Sequence, residues 1–127
     1  MKDSSVQIMG DNEYEVSTLI QSLGLSKISS KAIACLSNMQ EMSSKDLEIA
    51  ANIRQPEVSS AMRILRDNDW LAEREEKKRS GKGRPVKYYK LTVSMDEIIT
   101  TLEAIKHEEY ENMLKDIVRL RKILNAK

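Results

Sequence analysis

The spacing of apolar residues in the first part of the chain predicts two helices after a polar arm. Residues 1–12 are polar and show no period, whereas 13–23 follows the helical spacing of an amphipathic segment. Its apolar face contains Val16, Leu19, Ile20 and Leu23. Gly24 ends this helix, since glycine readily adopts the left-handed conformation that follows a helix C-terminus. A second apolar run, again helical, begins at Ser29 or Ser30.

The next segment predicts two short helices joined by a tight turn. Ser43 is followed three residues later by Asp46, a pair that is typical of a capping box and opens a helix with Leu47 inward. Residues 52–55 form the turn, and Pro56 then occupies the first position of the following helix, where its missing N–H is harmless. The buried face of that last helix is predicted to contain Val58, Met62 and Leu65.

The pattern changes to strands after Trp70. Strand-forming residues fill 70–76 and 86–91, and the segment between them contains two of the four glycines and one of the two prolines. These segments predict a β-hairpin with a long loop. Tyr88 and Tyr89 alternate faces in the second strand, so one of the two rings is expected to pack inward.

A single long helix is predicted from Ser94, a capping serine with Glu97 three residues on, to about residue 124. It would span about 45 Å, more than a small domain can cover, so its apolar stripe and that of the first helix predict a homodimer. The alternative is a helix that folds back onto its own domain. The residues predicted at the dimer interface are Leu19, Leu23, Ile98, Leu102, Ile105, Met113, Ile117, Leu120 and Leu124.

In chain order these elements predict a winged helix-turn-helix, a fold that is mainly α with a small β-hairpin. It occupies 13–93, after the flexible arm, and is followed by a C-terminal dimerisation helix over 94–127. In this architecture the helix after the turn presents its exposed face to the major groove, while the hairpin contacts phosphates or the minor groove. The predicted partners are therefore double-stranded DNA and a second copy of the chain.

The overall charge at first argues against nucleic acid, because 21 basic and 20 acidic residues leave a net charge of only +1. The distribution of charge changes that conclusion. Residues 78–90 contain six basic residues and no acidic one, so this segment carries +6 and the remainder −5. A localised basic hairpin is the electrostatic feature expected of a surface that contacts phosphates.

The residues expected to contact DNA lie on the exposed side of the helix after the turn and in the hairpin. Glutamine can bond adenine, arginine can bond guanine, and serine can bond a base or a phosphate. Glu57, on the same helix, has no assigned role. The predicted DNA-binding residues are Arg54, Gln55, Ser59, Ser60 and Arg63 from the turn and helix, and Arg79, Lys82, Arg84 and Lys87 from the hairpin.

Three stretches carry a resemblance to a known family: DLEIA at 46–50, QPEVS at 55–59 and GRPVKYYKLT at 83–92. Together they resemble the winged-helix domains of ArsR-like and TrmB-like transcriptional regulators over roughly 28–93, and the hairpin is also similar to that of PadR-like regulators. The resemblance implies a DNA-binding homodimer with repression as its output. Two departures stand out: the recognition helix lacks the cysteine of ArsR-type metal sites, and no TrmB-type effector domain is expected in 127 residues.

Other residues narrow the function further. Cys35, the single cysteine, is expected to be a small buried side chain, with a redox switch as the alternative, and His107 is expected at the surface. No metal, cofactor or catalytic activity is expected, because no nucleophile–base pair or metal cluster is visible. No run of about 18 apolar residues exists, so a cytoplasmic protein without a membrane partner is expected. No particular effector ligand is indicated.

A second hypothesis assigns the winged helix to a protein-interaction module in a larger transcription or nucleic-acid-processing complex. The basic hairpin discriminates between the two hypotheses. A protein adaptor has no need of a segment that carries +6, whereas a DNA-binding domain uses such charge on phosphates.

Overall fold

The computed structural model describes residues 7–77 and 83–126. Within these residues five helices and three strands follow one another: α1 (Asp11–Ser22), α2 (Lys27–Leu36), β1 (Met42–Ser43), α3 (Ser44–Ala51), α4 (Gln55–Asp67), β2 (Leu71–Glu76), β3 (Val86–Leu91) and α5 (Met95–Asn125). Helices α3 and α4 form the helix-turn-helix, and β2 and β3 form the hairpin that follows it. The predicted fold class, a winged helix-turn-helix with a long C-terminal helix, is confirmed.

The helix-turn-helix is defined by local hydrogen bonds, of which the sequence predicted those of the capping box. The Ser43 hydroxyl accepts from the Asp46 N–H at 3.0 Å, and the Asp46 carboxylate accepts from the Ser43 N–H at 3.2 Å, which confirms the capping box. Helix α3 ends at Asn52, whose φ of 54° lies in the left-handed region that asparagine tolerates. The next residue, Ile53, is buried, and its N–H donates to the Glu48 carbonyl at 3.0 Å. The turn is thus fixed at both ends.

The sheet has three antiparallel strands in the order β1–β3–β2, with β3 in the centre. Leu71 pairs with Leu91 and Glu76 with Val86, while Met42 of β1 pairs with Tyr89 on the other edge. Tyr89 is buried and Tyr88 is half-buried, so one ring packs inward as expected. Strand β1 was not predicted, because a two-residue strand is too short to show an alternating pattern.

An aliphatic core lies between the helix-turn-helix, the sheet and the start of α5. The chain has no phenylalanine, so branched side chains and methionine fill this space. The largest fully buried hydrophobic side chains are Ile33, Leu36, Leu47, Met62, Leu65, Leu91, Ile98 and Val58. This set includes all three residues predicted for the buried face of α4, which are therefore confirmed.

The inward face of α1 differs from the one that the sequence predicted. Leu19 is 59% exposed and Val16 is also exposed, whereas Ile20 and the polar Ser17 are buried. Leu23 is only partly buried and packs against the core. The helix also begins earlier than expected, at Asp11, since the Gly10 N–H donates to the Glu13 carboxylate at 2.6 Å. The spacing of apolar residues in α1 therefore does not identify the buried face of this helix.

The start of α2 and the end of the N-terminal arm also differ from the prediction. Ser26 caps α2 by accepting from the Ser29 N–H at 3.1 Å, and Ser29 and Ser30 are buried inside the helix rather than at its start. Within the predicted flexible arm, Met9 is buried, and its N–H donates to the Ala50 carbonyl at 3.1 Å. The described end of the arm is thus held against α3.

Helix α5 divides into a buried start and an exposed remainder. Ile98 and Leu102 were predicted at the dimer interface, but they are 0% and 3% exposed, so they belong to the core of their own chain. Every residue of 103–126 is exposed. The interface prediction was wrong for Ile98 and Leu102 because a continuous apolar stripe does not show where the core of the domain ends.

Replacing Gly24 by alanine is expected to lower the free energy of unfolding by about 1 kcal/mol. Gly24 has a φ of +113°, which L side chains rarely adopt, and an added Cβ would lie 3.2 Å from Cε of Lys106. Urea denaturation measures the change. If backbone conformation is the cause, the cost persists in a Lys106→Ala background; full rescue there would show that contact with the lysine is the cause instead.

Candidate nucleic-acid interface

Helix α4 separates a buried apolar face from an exposed polar face. Val58, Met62 and Leu65 pack into the core, and this fixes the rotation of the helix. The opposite face presents the predicted DNA-contacting residues of this helix, all of them exposed: Gln55, Ser59, Ser60 and Arg63. The Gln55 side-chain amide donates to the Ser59 hydroxyl at 3.1 Å, so these two side chains are held together on the surface.

The start of α4 is capped by a residue whose role the sequence left open. The Glu57 carboxylate accepts from the Arg54 N–H at 2.9 Å, one turn earlier. Glu57 therefore stabilises the helix N-terminus. Arg54 itself is exposed at this end of the helix, where the unpaired N–H groups and the helix dipole favour anions. The position of Arg54 is suited to a phosphate contact.

The hairpin carries the second group of predicted residues. Arg84 and Lys87 are exposed, whereas Arg79 and Lys82 lie outside the described residues. Strand β2 adds acidic residues beside the basic ones, and Glu75 lies opposite Lys87 in the strand register. The hairpin nevertheless keeps a charge of +5 over 71–91. Its basic character therefore survives pairing with the acidic strand.

An ion-pair cluster on the surface of the sheet was not predicted. The Arg74 guanidinium donates two hydrogen bonds of 2.7 Å to the Glu41 carboxylate and one of 2.6 Å to Glu76, and it lies 4.5 Å from the centre of the Tyr88 ring. The hydrogen bond from Arg74 lowers the pKa of Glu41 below its usual value. A bidentate pair of this kind orients both side chains. Arg74 thus connects the segment before β1 to the hairpin and is not a free cation.

A second ion pair joins α4 to the hairpin. Nε of Arg66 donates to the Glu73 carboxylate at 2.7 Å, and this hydrogen bond raises the pKa of Arg66. Both side chains are partly exposed to solvent, so the pair contributes little to stability. It connects the end of α4 to β2. No sequence signal predicted either ion pair.

A cleft of about 660 Å³ lies beside the start of α1, the end of α2 and β1. Its three carboxylates already have partners: Glu13 accepts from the Gly10 N–H, Asp46 from the Ser43 N–H, and Glu41 from Arg74. In the part of the chain that the structure describes, no group of three His, Cys, Asp or Glu side chains could hold a metal ion. Over 7–77 and 83–126, no helix is long and apolar enough to cross a bilayer.

Cys35 and His107 occupy the environments that the sequence predicted. Cys35 is buried, and burial raises the pKa of its thiol to about 11. His107 is exposed on α5, 3.6 Å from the Glu111 carboxylate.

Cys35 is expected to react with a maleimide or a disulfide reagent at pH 8 at least about a hundredfold more slowly in the native protein than in urea. A pKa of about 11 leaves very little thiolate at that pH, whereas an unfolded cysteine has a pKa of about 8.5. Because the folded protein favours the protonated thiol, this contribution to stability is lost as the pH rises from about 8.5 toward 11. Equal rates in the folded and unfolded protein would instead support a redox-active thiol.

No protein-family model matches the chain, and no curated protein sequence matches it. Among solved structures, a possible transcriptional regulator from Methanosarcina mazei is similar over 80% of this chain and 83% of its own, with 14% identity and a TM-score of 0.61. The similarity shows a shared winged-helix fold. A transcriptional regulator designated PA4135 aligns over 91% of this chain and 84% of its own, with 20% identity and a TM-score of 0.48. The adhesin competence repressor AdcR of Streptococcus pyogenes aligns over 92% of this chain and 86% of its own, with 23% identity and a TM-score of 0.44.

Proposed function

We propose that the chain is a transcriptional regulator that binds double-stranded DNA in a sequence-specific manner as a homodimer, with repression as its output. The observation that carries the proposal is the polar face of α4, which the burial of Val58, Met62 and Leu65 turns outward beside a basic hairpin. The shared fold with a possible regulator from Methanosarcina mazei supports it. The hairpin sequence at 83–92 favours an ArsR-like or TrmB-like regulator within this fold.

The exposed residues divide into two roles. Arg63 and Gln55 have the donors and acceptors that read guanine and adenine in the major groove, and the hydrogen bond from Gln55 to Ser59 orients the glutamine amide. Arg54, Arg84 and Lys87 contact phosphates and set the register of the helix on the duplex. Ser60 contributes a base or phosphate contact from α4, and Arg79 and Lys82 add charge to the hairpin.

The homodimer is proposed from the exposed part of α5. Every residue of 103–126 is exposed to solvent, yet this part of the helix carries many large apolar side chains. Contiguous apolar surface of this extent is typical of an interface between proteins. A second copy would cover it and would also supply a second recognition helix for a two-part operator. The exposed members of the predicted interface are Leu19, Ile105, Met113, Ile117, Leu120 and Leu124, whereas Leu23 is partly buried against the core.

Arg63→Ala and Lys87→Ala are expected to weaken DNA binding in different ways. Loss of a base contact at Arg63 should lower the affinity about tenfold or more for the preferred sequence, which is first selected from random duplexes. The affinity for mixed-sequence DNA should change little. Loss of a phosphate contact at Lys87 should weaken binding to every sequence and reduce the slope of log K against log salt concentration by about 1. Fluorescence anisotropy across a salt series measures both effects.

Lys27→Ala is the matched control, because Lys27 is an exposed lysine at the start of α2, on a different element from α4 and the hairpin. It removes the same charge as Lys87→Ala and should leave the affinity and the salt slope nearly unchanged. No binding at low salt, or equal losses in all three variants, would contradict the DNA-binding proposal and favour a protein-interaction module.

A further inference from the structure

The exposed part of α5 has opposite charge in its two halves. Residues 103–111 contain four glutamates and one lysine, a net charge of −3. Residues 112–126 contain four basic residues and Asp116, a net charge of +3. Every one of these residues is exposed to solvent. The apolar side chains Tyr110, Met113, Ile117, Leu120 and Leu124 run through both halves at a spacing of three and four residues.

We infer that this segment pairs with the same segment of a second copy in an antiparallel arrangement, an inference that rests on the proposed homodimer and specifies its geometry. In a parallel pair, each half would lie beside the identical half of the partner, so −3 would face −3 and +3 would face +3. In an antiparallel pair, the acidic half of each helix lies beside the basic half of the other. The net charges of paired helical segments favour one orientation over the other in this way.

The extent of the exposed segment also sets the register. If 103–126 overlaps fully with its copy, the two-fold axis passes near Lys115, and residues equally far from this point lie at the same level. Met113 then lies level with the partner's Ile117, and Tyr110 with the partner's Leu120, so the apolar residues meet one another. Glu111 lies level with the partner's Arg119, and Glu108 with the partner's Lys122, but on the outer sides of the two helices, so the attraction acts between the oppositely charged halves and not through direct ion pairs. The apolar and charged patterns therefore agree on one alignment.

This arrangement places the two winged-helix domains at opposite ends of a helical pair. The last buried residue of α5, Leu102, would lie about 39 Å along the axis from the partner's Leu102, at about 1.5 Å per residue. Successive major-groove faces on one side of B-DNA are about 34–36 Å apart. The antiparallel pair thus holds the two domains apart by about the length of one DNA turn, whereas a parallel pair would place both domains at the same end of the helical pair.

Reversing the charge of one half tests the orientation. The first variant is the triple substitution Glu108→Lys/Glu109→Lys/Glu111→Lys. In an antiparallel dimer it replaces attraction between the facing halves by repulsion, and the dissociation constant of the full-length dimer should rise about tenfold or more at low salt. Adding Arg119→Glu/Arg121→Glu/Lys122→Glu restores the opposite charges and should restore the dimer to within about threefold. In a parallel dimer the first variant only replaces two facing negative halves by two facing positive halves, so the dissociation constant should not change. Analytical ultracentrifugation measures the dissociation constant, and an unchanged value would overturn the inference.

A distance measurement gives an independent answer. Spin labels on Asn125→Cys, in a Cys35→Ala background, should lie about 30 Å apart along an antiparallel pair and under about 15 Å apart in a parallel pair. Labels on Lys115→Cys, near the two-fold axis, should be close in either case and serve as the control. A dimer with a short Asn125 distance overturns the orientation and leaves the proposed function intact. A chain that sediments as a monomer overturns the orientation together with the proposed homodimer.

Discussion

Leu65→Ala is expected to lower the free energy of unfolding by about 3 kcal/mol. Leu65 is fully buried on the inward face of α4, and removal of its branched side chain leaves a cavity in the aliphatic core. A small domain has only about 5–15 kcal/mol of stability, so the loss is a large fraction of the total. Urea denaturation can be followed through the fluorescence of Trp70, the single tryptophan, which is buried and whose backbone N–H donates to the Leu65 carbonyl.

Ile64→Ala is the matched control for this substitution. Ile64 is the preceding residue on the same helix and has the same number of side-chain carbons, but it is 38% exposed. Its replacement should cost no more than about 1 kcal/mol, since little cavity forms at the surface. If the two variants were destabilised equally, α4 would not be rotated as described, and the assignment of its exposed face to DNA would be wrong.

The residues of α4 could be assigned to faces from the sequence alone because the signals there are local and agree with one another. A capped helix, a tight turn and a proline fix where α4 begins, and Val58, Met62 and Leu65 fix its rotation. Once the inward face is known, the outward face follows. The two strands of the hairpin and both ends of α5 were predicted within a residue or two for the same reason.

Features that depend on contacts between distant segments were not accessible from the sequence. Arg74 and Glu41 are 33 residues apart, and neither the spacing nor the residue types distinguish this pair from other surface charges. The faces of α1 illustrate the same limit. Helical spacing showed that Leu19 and Ile20 belong to one side of the helix, but the packing of α1 on α2 and the core decides that only Ile20 is buried.

Ile117→Asp is expected to dissociate the proposed dimer, raising its dissociation constant at least about a hundredfold. Ile117 lies in the middle of the exposed part of α5, 41% exposed in the single chain, and in the dimer it would face the partner's apolar side chains whichever way the helices run. Each dimer would then have to bury two new carboxylates without partners. Asn112→Asp adds the same charge to an exposed polar position of the same helix and should leave the dimer within about threefold of the original affinity.

Loss of the dimer should also change DNA binding in a way that separates the two proposed roles of the chain. Two linked domains bind two half-sites with an affinity that can exceed that of one domain by about 10²–10⁴, so Ile117→Asp should lose affinity on this scale. The slope of log K against log salt should fall to about half, since one domain neutralises half as many phosphates. Unfolding of the domain should be unaffected, because Ile117 lies outside the core. A variant that is monomeric yet binds DNA with the original affinity and salt slope would show that a single winged helix is the functional unit and that the apolar surface of α5 serves another purpose.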